Sequence, residues 1–327
     1  MKYCEEIPVF LQEAAYCPSV QRLKHIGMNC GCEYTAYELF HTCGSYSRYE
    51  HSLGVSQIVW NFTHDPRQAM AGLLHDIATP VFAHVIDFMN GDHMKQESTE
   101  AGTREIIDGD EMLQSILKKN GLCTEDVCDY HRYPVADNDS PKLSADRLEY
   151  TLKNAVYLLG KEEAQLQKLY DDLAVFMNEE GEKEIQFLHA DEAERFGFLS
   201  LQCSRIYVSD TDRCVMQVLA ELVREAIRLA VLCSEDLYTD EPSVIAKLCA
   251  DPYMRGRWEH FRKLNRIETD GTCRGEGWYQ IRAKKRRIDP LIYGKGRLTE
   301  VCEAYRKETE LFVNEPQEYW VHADISE

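Results

Sequence analysis

Two stretches decide how this chain is read: Arg48-Tyr49-Glu50-His51-Ser52-Leu53-Gly54-Val55, and Ala71-Gly72-Leu73-Leu74-His75-Asp76-Ile77. Leu53, Val55, Ile58, Val59 and Phe62 form a broad apolar face at helical spacing, which predicts a helix over 45–62. Asp65-Pro66 then predicts a second helix, with Asp65 as its cap and Pro66 at its first position, running to about Ala78. His75-Asp76 falls late on that second helix and His51 on the first. Adjacent helical residues diverge by about 100°. His75 and Asp76 can therefore share an ion only if it sits in a groove between helices, where His51 can join them.

Working outward, Thr79-Pro80 repeats the same start signal and predicts a third helix through Val81, Phe82, Val85, Ile86 and Met89, stopped by Asn90-Gly91. Further helices are expected over 96–108, 111–120, 144–159, 162–178 and 212–233. Leu166, Leu169, Tyr170, Leu173 and Phe176 supply the stripe of the fourth of these. After about residue 235 the texture changes. A polar loop, Gly271 to Gly277, stands before expected strands at 278–283 and 286–293, and 298–313 reads as helix again. The expected fold is mainly α, with a helical domain over 1–235 and a small α/β C-terminal region over 236–327 packed on it.

Composition narrows the function. The 327 residues are 44% hydrophobic and 28% charged, an ordinary globular balance. No stretch approaches the roughly 20 apolar residues of a membrane span, and Met1 to Phe10 lacks the apolar run of a signal peptide. These features point to a cytoplasmic protein without a membrane partner. Thirteen cysteines at irregular spacings, with no CxxC pair, read as reduced, buried small hydrophobes. A net charge of -19 argues against an extended nucleic-acid surface. An acidic chain can still bind a small phosphate compound if it gathers a metal or a few cations at one point.

A fourth ligand for His51, His75 and Asp76 is wanted from elsewhere, and Asp146, in Ser144-Ala145-Asp146-Arg147-Leu148, begins a later helix. Two imidazoles and two carboxylates suit a divalent transition metal such as Mn, Fe, Ni or Zn. His84 and Asp87 are three apart on one helical face. A carboxylate beside an imidazole orients it and raises its pKa, which suits a general acid. Of the cations near these motifs, Lys95, Arg104 and Lys142 read as solvated, while Arg147 and Lys153, beside Asp146, are phosphate candidates. Lys284-Lys285-Arg286-Arg287, the one basic run, reads as an exposed strand or turn, with a nucleotide or RNA contact as the alternative.

The two opening stretches closely resemble the HD superfamily, and within it the deoxynucleotide triphosphohydrolase branch of SAM-and-HD-domain proteins and bacterial dGTPases. The resemblance extends to Gln21-Arg22-Leu23-Lys24-His25-Ile26, Pro80-Val81-Phe82-Ala83-His84 and Ala145-Asp146-Arg147-Leu148-Glu149-Tyr150. It continues more loosely through Leu237-Tyr238-Thr239-Asp240 and Arg286-Arg287-Ile288-Asp289-Pro290-Leu291. It implies an HD-domain helical bundle with His51, His75, Asp76 and Asp146 as metal ligands. It implies Arg48 on a substrate phosphate, Tyr150 against the substrate sugar, His84 with Asp87 as the catalytic pair, and His93 as a further catalytic histidine. The same branch implies a homo-oligomer. Two positions depart from its pattern: Thr79 stands where those enzymes carry a histidine, and Asn154 where they carry an Asp on the sugar hydroxyl. The expected function is metal-dependent hydrolysis of a phosphate ester or anhydride in a small nucleotide-like substrate. The alternative is a metal-binding regulatory or sensing module with little turnover.

Overall fold

A computed structural model describes residues 1–41, 44–91 and 102–326; His93 and Lys95 lie outside the described residues. Among these, sixteen α-helical segments dominate and six short strands form two sheets. The first motif lies on α1 (Arg48–Thr63). Ser47 accepts from the Glu50 amide while the Glu50 carboxylate accepts from the Ser47 amide, so two of the four amides a helix start leaves unpaired are satisfied reciprocally. The second lies on α2 (Pro66–Leu74), capped by Asp65 with Pro66 at its first position, as the sequence predicts. The two helices meet closely at Gly72, where a Cβ would stand 3.3 Å from Val55 Cγ1.

The chain departs from expectation just after this. α2 stops at Leu74, and residues 75–84 form successive turns rather than helix, so the third helix, α3 (Val85–Asn90), begins late. The start signal at Thr79-Pro80 fails because its groups are bound elsewhere: the Thr79 hydroxyl donates to Asp76 Oδ1 at 2.7 Å rather than capping the next turn. The Arg22 guanidinium holds the Ile77 and Thr79 carbonyls, each at 2.8 Å, and the Val81 amide donates to Leu237 O at 2.7 Å. Phe82 and Ala83 sit at positive φ (60° and 48°). Backbone bound this way cannot continue a helical ladder.

Beyond the site helices lie α4 (Ala145–Tyr157), α5 (Glu163–Asp171), α6 (Ala190–Tyr207), α7 (Asp210–Arg228) and α8 (Glu241–Ala250). The expected helix over 162–178 is therefore two elements. After Asp171 the chain turns and becomes β1 (Leu173–Met177), antiparallel to β2 (Lys183–Phe187). A turn at 178–182, where Asn178 O accepts from Gly181 and Asn178 N donates to Glu182 O, closes that hairpin. β2 also pairs in parallel with β4 (Leu291–Ile292), which pairs with β5 (Gly296–Arg297). This sheet draws on both sides of the expected division near residue 235. β3 (Arg266–Asp270) and β6 (Trp320–Asp324) form a second, antiparallel ribbon. The strand expected over 278–283 is instead irregular, with a single bridge from Tyr279 to Val321, and of 286–293 only Leu291–Ile292 is strand.

The buried apolar residues form two clusters, one around Ile58, Leu73, Leu148, Phe196 and Phe312, the other around Phe82, Phe88, Leu219, Trp258 and Phe261. α4 touches both: Leu148 and Leu152 belong to the first, Leu158 at its end to the second. No described helix is long and apolar enough to cross a membrane. The described cysteines are unpaired. Five are buried as expected, while Cys123, Cys233 and Cys273 are exposed, so the reading of the cysteines as core hydrophobes holds only in part.

Candidate metal centre and substrate cavity

His51 comes from the second turn of α1, His75 and Asp76 from the turn that ends α2, and Asp146 from the start of α4. His51, His75 and Asp76 are buried and bring one ligand atom each within 4.8 Å of the others. Asp146 Oδ1 lies 3.0 Å from His51 Nε2 and 3.8 Å from His75 Nε2. The hydrogen bonds behind the imidazoles fix which atoms face inward. His75 Nδ1 stands 2.8 Å from Gly72 O and His51 Nδ1 stands 2.6 Å from Glu149 Oε2, so each Nδ1 carries its proton outward. The two Nε2 atoms are then left with lone pairs 3.3 Å apart, with Asp76 and Asp146 oxygens beside them. Four lone-pair donors turned toward one point repel unless a cation stands among them. Their nitrogen and oxygen chemistry fits a divalent transition ion.

Without an ion, a proton on His51 meets the same repulsion. Burial alone would lower the His51 pKa, but hydrogen bonds to Asp146 and Glu149 push it up to about 10. Burial works against ionisation of Asp76, yet Arg48 and the two imidazoles hold its carboxyl well below the usual range. Asp146 is likewise held low, against burial, by its hydrogen bond to His51.

Arg48 reaches both Asp76 oxygens at 2.9 Å through one nitrogen, while its Nε is buried without a partner. Thr79, fully buried, bonds Asp76 Oδ1, so the residue in the histidine position braces a ligand. Glu149, three residues beyond Asp146 on α4 and fully buried, orients His51. Its i,i+3 spacing from Asp146 is the one sequence signal that marks it.

These groups open into a cavity of about 200 Å³. Arg48, His84, Tyr150 and Asn154 line it together with the metal-ligand side chains. Asp146, Tyr150, Asn154 and Leu158 recur every fourth residue along α4, so its wall extends about 18 Å from the ligands at 1.5 Å per residue. Asn154 donates its amide to Tyr207 OH at 2.7 Å and leaves its own Oδ1 buried and unpartnered. His84 Nδ1 lies 2.9 Å from Asp87 Oδ2, with Asp87 fully buried. Contrary to the simple expectation for a His-Asp pair, the His84 pKa is lowered. Burial is the main cause, Asp87 acts against it, and Arg286 and Arg48 add to it.

Other expected contacts fall elsewhere. Arg147 does not line the cavity; its guanidinium binds Asp137 Oδ1 at 2.5 Å, Ser144 Oγ at 2.9 Å and Asn138 O. Lys153 is also off the wall, Lys142 pairs with Glu180 and Glu182, and Arg104 pairs with Glu125. The basic run is the larger surprise. Lys284 and Arg286 line the cavity, whereas Lys285 turns away to the Phe312 and Val313 carbonyls. Tyr130, also unforeseen, packs its ring 5.0 Å from that of His75.

Helices set His51, His75-Asp76 and Asp146 around one point, and residues 48–148, which hold all four, match the family model described as HD domain. Over 317 residues, 90% of this chain and 84% of the relative, the sequence is 28% identical to the metal-dependent phosphohydrolase cns2 of Cordyceps militaris. It is 27% identical over 239 residues to the uncharacterized protein YdhJ of Bacillus subtilis, covering 72% of this chain and 69% of YdhJ. It is 29% identical over 157 residues to YwfO of the same organism, also uncharacterized, covering 42% of this chain and 33% of YwfO.

Proposed function

We propose that this chain is a metal-dependent phosphohydrolase that cleaves a phosphate ester or anhydride in a small nucleotide-like substrate. One observation carries the reading: a single cavity gathers four ligand side chains, a buried guanidinium with a free Nε–H, and His84 backed by Asp87. The HD domain and the name of the Cordyceps militaris relative support it.

His51, His75, Asp76 and Asp146 would hold the ion, which when bound supplies Lewis acidity toward a phosphoryl oxygen. Arg48 donates its free Nε–H to a phosphate oxygen while its other arm keeps Asp76 in place. Lys284 and Arg286 add positive charge on the cavity wall, the concentration of cations that an acidic chain needs for an anionic substrate. In the free protein His84 is neutral. An anionic phosphate offsets the Arg286 and Arg48 charges that depress it, and His84, steadied by Asp87, then carries a proton to the leaving oxygen. Asn154 Oδ1 accepts from a sugar hydroxyl, and Tyr150 packs on the sugar beside it. With Thr79 committed to Asp76 and Asn154 uncharged, deoxynucleoside triphosphates are one substrate group beside nucleoside monophosphates and signalling nucleotides.

The test is a side-by-side assay of chain loaded with Mn, Fe, Ni or Zn on dNTPs, NTPs, nucleoside monophosphates and oligonucleotides. Metal-dependent release of phosphate or triphosphate from a mononucleotide is expected. No release from any substrate by fully loaded protein would establish the sensing module instead. Faster cleavage of oligonucleotides would overturn the argument from charge.

A further inference from the structure

Away from the metal ligands the cavity changes character. Phe40, Leu158, Ile206 and Met216 line it, and all are apolar. Asp212, in the first turn of α7 and one helical turn before Met216 on the same face, lines the cavity too. The backbone amide of Asp212 is used by the Ser209 cap, but its carboxyl makes no hydrogen bond or ion pair with any described residue. An unpaired acid on an apolar wall is costly to leave in place unless a ligand answers it. Its surroundings also set its form. Burial, and after it the charge of Glu33, push its pKa well above the usual carboxylate range, which favours the form with one O–H donor beside one carbonyl acceptor.

Resting on the phosphohydrolase reading above, we propose that this part of the cavity is a nucleobase subsite. In it Asp212 selects rings with an amidine edge, a ring nitrogen beside an amino group as in adenine or cytosine. The O–H of the acid meets the basic ring nitrogen while its carbonyl oxygen meets the amino hydrogen, a two-point contact of the kind that discriminates bases elsewhere. Guanine presents two adjacent donors, which pair with an ionised carboxylate instead. Uracil and guanine can meet the neutral acid only at a lactam edge, N–H beside C=O, whose oxygen is a far weaker acceptor for the O–H than an amidine nitrogen. The length of the cavity agrees with this placement: the α4 wall extends about 18 Å from Asp146, with the phosphate-facing groups at one end and Leu158 at the other.

Unphosphorylated nucleosides test this without requiring turnover. Isothermal titration of the full metal-loaded chain with adenosine, cytidine, guanosine and uridine should show adenosine or cytidine binding at least about tenfold more tightly than the other two. Asp212→Ala should reduce those differences to within about threefold. Asp212→Asn, nearly isosteric and able to pair with either kind of edge, should keep binding but lose the preference, with metal content and melting temperature showing that both variants are folded. Tightest binding of guanosine, an unchanged preference in Asp212→Ala, or no nucleoside binding by a chain that still releases phosphate overturns the subsite and leaves the phosphohydrolase reading intact. The expected preference in a chain without any metal-dependent hydrolysis supports the subsite and overturns that reading instead.

Discussion

Replacing Gly54 by alanine touches no metal ligand, yet it should weaken the metal centre. Gly54 lies on α1 one turn from His51, and a Cβ built there stands 2.5 Å from Glu149 Oε1, 2.6 Å from its Cγ and 2.8 Å from its Cδ. Contact with Cγ means that the whole side chain must move, and Glu149 is fully buried. Moving Oε1 out from 2.5 Å to an ordinary 3.4 Å is a shift of about 0.9 Å. The bond it disturbs, His51 Nδ1 to Glu149 at 2.6 Å, holds the imidazole with Nε2 facing the ion. Loss of such an outer partner typically lowers metal affinity about 10- to 100-fold, or about 1.4 to 2.7 kcal/mol. Two effects compete in stability: alanine gains up to about 1 kcal/mol in helix propensity over glycine, whereas overpacking costs about 1 to 3 kcal/mol. The expected signature is thus a metal Kd raised 10- to 100-fold with a melting temperature that is little changed or lower. Competition against a chromophoric chelator measures the first and calorimetry the second. Shortening the acid in Gly54→Ala/Glu149→Asp should recover part of the affinity. Wild-type metal affinity in a folded Gly54→Ala chain would refute the role given to Glu149.

Asp76→Ala should lose the metal by elemental analysis and also destabilise the fold by about 3 to 5 kcal/mol, because Arg48 is left buried and unpaired; retention of a full metal complement counts against the ligand set. His84→Ala should keep the metal but lower kcat by about 10² to 10⁴, and full activity would remove His84 from the chemistry. Arg286→Gln removes one of the charges that depress the His84 pKa, so that pKa rises and the acid stays protonated to higher pH. The alkaline limb of kcat/KM against pH should therefore move upward, and a limb that stays put or moves down contradicts the assignment.

The site was legible where chemistry is written in consecutive residues. Arg48 to His51 and His75-Asp76 announce themselves, and Asp65-Pro66 marks a helix start by rules of backbone hydrogen bonding that need no partner segment. What stayed hidden depends on distant chain. Nothing local says that Thr79-Pro80 will not open a helix, because the groups that prevent it, Arg22 and Leu237, are far away in sequence. The run Leu173–Met177 continues the helical stripe of α5 and becomes a strand only because Lys183–Phe187 lies beside it. Lys284 and Arg286 look like solvent-facing cations until the fold sets them on the cavity wall. Arg147 sits next to a ligand in sequence, yet Asp137 claims it.

The clamp on the His75-Asp76 turn also bears on the order in which the molecule can be made. All four ligand side chains have been synthesised once residue 146 has left the ribosome. The turn that aims two of them, however, is pinned by Arg22 across to Thr239 O and by Val81 to Leu237 O, contacts spanning 217 residues in the first case. Contacts of such separation form late because their loop-closure entropy must be met first. A nascent chain can thus present His51 and Asp146 to an ion long before the turn is fixed. Pulse-labelling of the Val81 amide during refolding should find it protected after the amides of α1 and α4.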